Sequence, residues 1–152
     1  MRVLSGRLLQ QPPLTTQSSY DRIFVRDLIL DCHLGVYPEE QGVTQRVGFT
    51  VEACVAPDVH STRDEISDVP SYDDLSNAIK DTLAAGHINL VETIAERVCE
   101  RILQDKRIVS VRMRIDKLER GPSAVGVEIT RPRNTAQLSV SHFSDRPSGD
   151  GV

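Results

Sequence analysis

At 152 residues, with 39% hydrophobic and 4% aromatic content and no tryptophan, the chain has the makeup of one ordinary globular domain. Its 18 basic and 22 acidic side chains leave a net charge of −4, and the acidic excess sits in the middle of the chain, the wrong sign for a nucleic-acid binder. No apolar run approaches the roughly 20 residues that cross a bilayer and no apolar leader opens the chain, so a cytoplasmic protein with no membrane partner is expected.

Residues 1–20 and 132–152 are rich in Ser, Thr, Gln, Pro and Gly without sustained periodicity and are read as flexible extensions around a domain at 21–131. Ile23 and Val25 alternate with polar neighbours, the alternation slips at Arg26-Asp27, and it resumes at Leu28, Leu30 and Cys32. This predicts a strand over about 21–33 with a bulge in it. A turn signal with Pro38 and Gly42 follows, and then Val43, Val47, Phe49, Val51, Ala53 and Val55 predict a second long strand paired with the first as a hairpin.

After a polar loop, Ser71 and Asp74 mark a helix start, with Leu75, Ile79 and Leu83 at helical spacing as far as Gly86. Asn89 is expected to open a second helix that carries Val91, Ile94, Ala95, Val98 and Ile102 on one face. Period two returns at Val109, Val111, Met113 and Ile115, and again at Val125, Val127 and Ile129, with Gly121-Pro122 between them. The order is ββααββ, an α+β domain. Four long strands covered by helices on one face leave two open sheet edges, so a homo-oligomer whose sheets join into a barrel is expected.

Cys32, Cys54 and Cys99 form no Cys-x-x-Cys pair, and His33, His60, His87 and His142 form no His-x-His pair. A disulfide scaffold and a metal site are therefore not expected. Cys54 on the polar side of its strand is read as a small filler.

Four stretches in this order, Gly35-Val-Tyr-Pro-Glu-Glu40-Gln, Ser71-Tyr72-Asp-Asp-Leu, Asn89-Leu-Val-Glu92, and Ile115-Asp-Lys117 followed by Gly126-Val-Glu-Ile-Thr-Arg131, resemble the dihydroneopterin aldolase family. The resemblance spans about residues 21–131. It implies the tunnelling fold, four subunits closing a barrel or eight in two stacked barrels, and an active site between subunits. It also implies a role for each matched residue. Glu92, with Leu90 and Val91 beside it, would bind the substrate, its carboxylate accepting the 2-amino and N3 hydrogens of a pterin. Tyr72 would donate or relay a proton into the neighbouring subunit's site, and Lys117, acting with Glu40, would carry proton transfers at the substrate side chain. Glu39 competes with Glu40 for that part.

Each of these residues also has a plain structural reading. Glu92 falls at the N3 position of a capping box begun by Asn89, Tyr72 could pack on its own first turn, and Lys117 could be a solvated strand end. The implied reaction needs neither cofactor nor metal, because the N5=C6 imine of the reduced pterin accepts the electrons of the breaking C1′–C2′ bond. One departure stands out: Leu118 follows the lysine where the family usually has proline. Ile-Asp-Lys-Leu is similar to the related dihydroneopterin triphosphate 2′-epimerase, which keeps epimerisation as an alternative product, and a non-catalytic pterin-binding subunit is a second alternative.

Overall fold

The computed structural model describes residues 20–133. The extensions read at 1–20 and 132–152 lie outside the described residues, apart from Tyr20, Pro132 and Arg133. Four strands, β1 (Arg22–Cys32), β2 (Gln45–Val55), β3 (Ile108–Lys117) and β4 (Val125–Pro132), and two helices, α1 (Tyr72–Ala84) and α2 (Val91–Ile102), follow the ββααββ order. The strands make one antiparallel sheet in the order β1-β2-β3-β4.

The slip read at Arg26-Asp27 is a bulge: the register jumps between Val25↔Val51 and Leu28↔Phe49. Asp27 takes a left-handed φ of 52° there, and its N–H turns to the Thr50 hydroxyl at 3.1 Å. The extra residue keeps Leu28 and Leu30 on the same face as Ile23 and Val25, where all four pack against the core.

Strict alternation decides the two faces of the sheet. Val47, Phe49, Val51 and Ala53 of β2 and Val111, Met113 and Ile115 of β3 are fully buried under the helices. Leu75, Ile79, Ile94, Ala95 and Val98 come down from α1 and α2 to meet them. Val43 stands outside this pattern, exposed in the loop, because β2 begins only at Gln45. Among the described residues no helix packs on the other face. Its side chains pair by charge across the strands, with Arg112 on Glu128 at 2.7 Å and Arg22 near Glu52 at 3.7 Å. A shallow concavity of about 450 Å³ there is lined by those four residues with Cys54, Ser110 and Thr130. Cys32 and Cys99 are buried, and burial is the main reason that their thiols are pushed up to about 11.

Two local features differ from the sequence expectation at helix α2. Its N-cap is Leu90, in extended backbone and without a side-chain cap, not Asn89. The chain before it is pinned by the bridge between Leu34 and Ile88, with the Ile88 N–H on the His33 carbonyl and the Gly35 N–H on the Ile88 carbonyl. That tie delays the helix by one residue and removes Glu92 from the capping-box position, so its plain structural reading is lost.

Candidate active site

The site begins with a turn that has little freedom. After Leu34 the chain passes Gly35 at φ +133°, and the single turn Pro38–Glu40 folds back so that the Glu40 carboxylate lies against the Gly35 α-carbon. A side chain at Gly35 would start 2.0 Å from Glu40 Oε2. The Gly35 carbonyl accepts from Gln41 Nε2 at 3.1 Å and lies 2.8 Å from His87 Nε2. Gln45 ties the turn to β2, donating to the Leu34 carbonyl at 2.6 Å and to Glu40 Oε1 at 3.3 Å.

Glu40 is only 3% exposed, and a carboxylate buried that deeply needs charge compensation and donors. It has both. Lys117, the last residue of β3, donates to Oε1 from 2.9 Å; the Arg120 guanidinium stands 3.1 Å from the same oxygen; and the Tyr37 N–H donates to Oε2 at 3.2 Å. The Lys117 hydrogen bond outweighs the opposing effect of burial and, with the Tyr37 and Gln45 donors, holds the Glu40 carboxyl down at about 2. Glu39 is exposed on the outer side of the same turn. Sequence reading missed three members of this cluster. Gln45 and Arg120 carry no periodic or motif signal, and Gly35 was noted only as the first residue of a family-like stretch, not as the floor under a carboxylate.

The first turn of α2 lies at this end of the sheet, because the Leu34–Ile88 bridge ties the chain before it to the Gly35 turn. Glu92 is exposed there. The Val91, Glu92 and Thr93 N–H groups precede the first helical bond, which is made by the Ile94 N–H to the Leu90 carbonyl, so a carboxylate acceptor and open backbone donors share one helix end. Leu90, Val36, Tyr37 and Val43 are exposed apolar side chains of the same region.

Tyr72 is not part of this assembly within one chain. It is the first residue of α1 and 64% exposed. Its neighbours Ser71, Asp74 and Leu75 line a cleft with Ile108, the first residue of β3. Lys117 is the last residue of that ten-residue strand, roughly 30 Å away along it. One copy of the chain therefore presents Tyr72 and Lys117 at opposite ends of the sheet. Of the histidines, His33 Nδ1 lies 3.1 Å from the Val43 carbonyl and His87 touches the Gly35 turn, while His142 is outside the described residues. Among the described residues no helix is long and apolar enough to cross a membrane.

A family model for dihydroneopterin aldolase (FolB) matches residues 23–130. The dihydroneopterin aldolase of Methylorubrum extorquens is 31% identical over 119 residues, covering 75% of this chain and 92% of that protein. That of Escherichia coli K12 is 29% identical over 120 residues, covering 75% of this chain and 95% of the relative. The crystal structure of the Escherichia coli dihydroneopterin aldolase in complex with neopterin superposes with a TM-score of 0.68 at 28% identity, covering 73% of this chain and 98% of the other.

Proposed function

The chain belongs to the dihydroneopterin aldolase family, a lyase family of folate biosynthesis, and we propose that Glu92, Lys117, Glu40 and Tyr72 are the residues with which it cleaves 7,8-dihydroneopterin. The observation that carries the assignment is the Lys117–Glu40 pair, 2.9 Å apart, with the carboxylate buried and the lysine half-buried. Glu92 accepts the 2-amino and N3 hydrogens of the pterin ring through a planar two-point bond, and the free N–H groups of the α2 first turn, around Leu90 and Val91, complete the substrate-binding edge. Ionised acceptors suit those ring donors because charge-assisted bonds are the stronger ones.

The ring anchored at Glu92 extends its side chain toward Lys117. A base takes the proton of the 2′-hydroxyl, the freed oxygen electrons form the glycolaldehyde carbonyl, and the C1′–C2′ bond pair passes into the N5=C6 imine of the pterin. The resulting enamine is protonated at C1′ to give 6-hydroxymethyl-7,8-dihydropterin. Lys117, held by Glu40, lies within reach of these transfers, and the second proton-transfer group is the Tyr72 of an adjacent copy. The opposite placement of Tyr72 and Lys117 in one chain, together with open β1 and β4 edges, supports a homotetramer or homo-octamer with sites between subunits. A cytoplasmic location accords with this pathway.

Epimerisation starts with the same cleavage, followed by return of glycolaldehyde to the other face. One observation keeps it as a second reading: the Leu118 N–H donates to the Arg46 carbonyl at 3.1 Å, a bond that a proline at this position could not make. Product analysis separates the two, since a pure aldolase releases glycolaldehyde and an epimerase returns a C2′ diastereomer.

The test of the residue roles is complementation. Lys117→Ala and Tyr72→Phe should each lower turnover by about a hundredfold or more, the usual worth of a positioned acid or base, while keeping most affinity for the hydroxymethyl product. Refolded mixtures of the two dead variants should regain part of the activity. Mixtures that remain dead although hetero-oligomers form would refute the shared site.

A further inference from the structure

The Arg120 guanidinium is an unexpected member of the cluster. It stands 3.1 Å from Glu40 Oε1, the same oxygen that Lys117 holds at 2.9 Å. One carboxylate oxygen thus faces two cations, and only the lysine makes the hydrogen bond. Arg120 lies in the connection between β3 and β4 with its side chain 41% exposed, while Lys117 is 17% exposed and Glu40 is buried.

We propose that Arg120 is a positioning residue, a reserve counterion that keeps Glu40 compensated when Lys117 turns to the substrate or gives up a proton. The inference rests on the reading of Lys117 as a proton-transfer group. A buried carboxylate that loses its only cationic partner is strongly destabilised, so a lysine that is the sole partner of Glu40 is held back from any other task. A guanidinium stays charged throughout the working pH range and offers five donors in a fixed fork. From its present distance, Arg120 completes the hydrogen bond on Oε1 as soon as the ammonium withdraws. The remaining donors, Tyr37 N–H and the Gln45 amide, are neutral and cannot replace a charge. The other charged groups nearby are engaged elsewhere. Asp116 pairs with Arg114 on the opposite face of β3, and Glu119 accepts from the Arg46 main-chain N–H.

The test uses the full-length protein with Arg120→Gln, Arg120→Lys, Lys117→Ala and the Lys117→Ala/Arg120→Gln double variant. Arg120→Gln should lower kcat about tenfold with KM changed less than twofold, the pattern of an interaction needed in the transition state and not in binding. Arg120→Lys, which keeps the charge, should restore most of the loss. In thermal unfolding each single variant should keep one cation on Glu40 and melt slightly early, whereas the double variant should lose more than the sum of the two, or fail to fold where both singles fold. Wild-type kcat in Arg120→Gln, or additive melting shifts, would overturn the proposal. If Lys117→Ala is inactive while Arg120→Gln turns over normally, Arg120 alone has been misread. If Lys117→Ala keeps full turnover, both the lysine assignment and the reserve role fall.

Discussion

Glu40 lies inside the turn between β1 and β2 with Lys117, Arg120, Gln45 and the Tyr37 N–H around it, while Glu92, at the same end of the sheet, is exposed on the first turn of α2. The two carboxylates illustrate two ways of preparing a site. A buried charge must be compensated as the chain folds, so the geometry around Glu40 is set before any ligand arrives. An exposed carboxylate carries no such requirement, so the hydrogen bonds of Glu92 remain available to a ligand. One is part of the fold, and the other, in the proposed site, is left to the binding equilibrium.

The sharpest way to break that contrast is Gly35→Ala. The added carbon would sit 2.0 Å from Glu40 Oε2 and 2.6 Å from Glu40 Cβ, at a φ of +133° that L-residues avoid. Backbone strain and the displaced carboxylate together should cost roughly 3 kcal/mol or more. Urea unfolding measures this, and a loss under about 1 kcal/mol would mean that the turn is less rigid than it looks.

Glu92→Gln probes the other member. It keeps the size of the side chain but loses the charge and presents a donor to the donors of the ring, so pterin binding should weaken by about 2 kcal/mol or more. Calorimetric titration checks the affinity, and the melting temperature should hardly move. A large fall in melting temperature with unaltered affinity would assign Glu92 to the fold after all.

A third experiment separates the two by pH. Because its folded-state pKa is depressed from 4.5 to about 2, Glu40 takes up a proton more readily in the unfolded chain. Its contribution to stability is complete above about pH 4.5 and is lost as the pH falls toward 2. The wild-type protein should therefore melt well above Glu40→Gln near neutrality, and the gap should shrink steadily below pH 4.5. A constant gap would place the stabilisation outside the ionised form of Glu40.

Most of the fold was legible in the chain. Period-two runs located β1 to β4, the slip at Arg26-Asp27 located the bulge, and the helix start at Ser71 was marked by a side chain that accepts from the Asp73 N–H. The start of α2 was misjudged by one residue because the chain just before it is pinned by the Leu34–Ile88 bridge, a contact 54 positions apart in the sequence. Of the candidate site residues, Glu40 and Lys117 are brought together, Glu92 comes to the same end of the sheet, and Tyr72 goes to the opposite end. Nothing in local spacing distinguishes these outcomes, because each depends on which sheet end a loop returns to.

By itself, the sequence determined the element order, the buried face of each strand and helix, and which residue types were present for acid–base and ring recognition. These follow from side-chain period and local propensity, which act over a few residues. Only the tertiary structure decided that Glu40 is buried while Glu39 is exposed, that Gly35 must lack a side chain, and that Arg120 shares an oxygen with Lys117. Burial and charge compensation are properties of segments that meet across the sheet, here 77 residues apart for Glu40 and Lys117, and no local pattern encodes such a meeting.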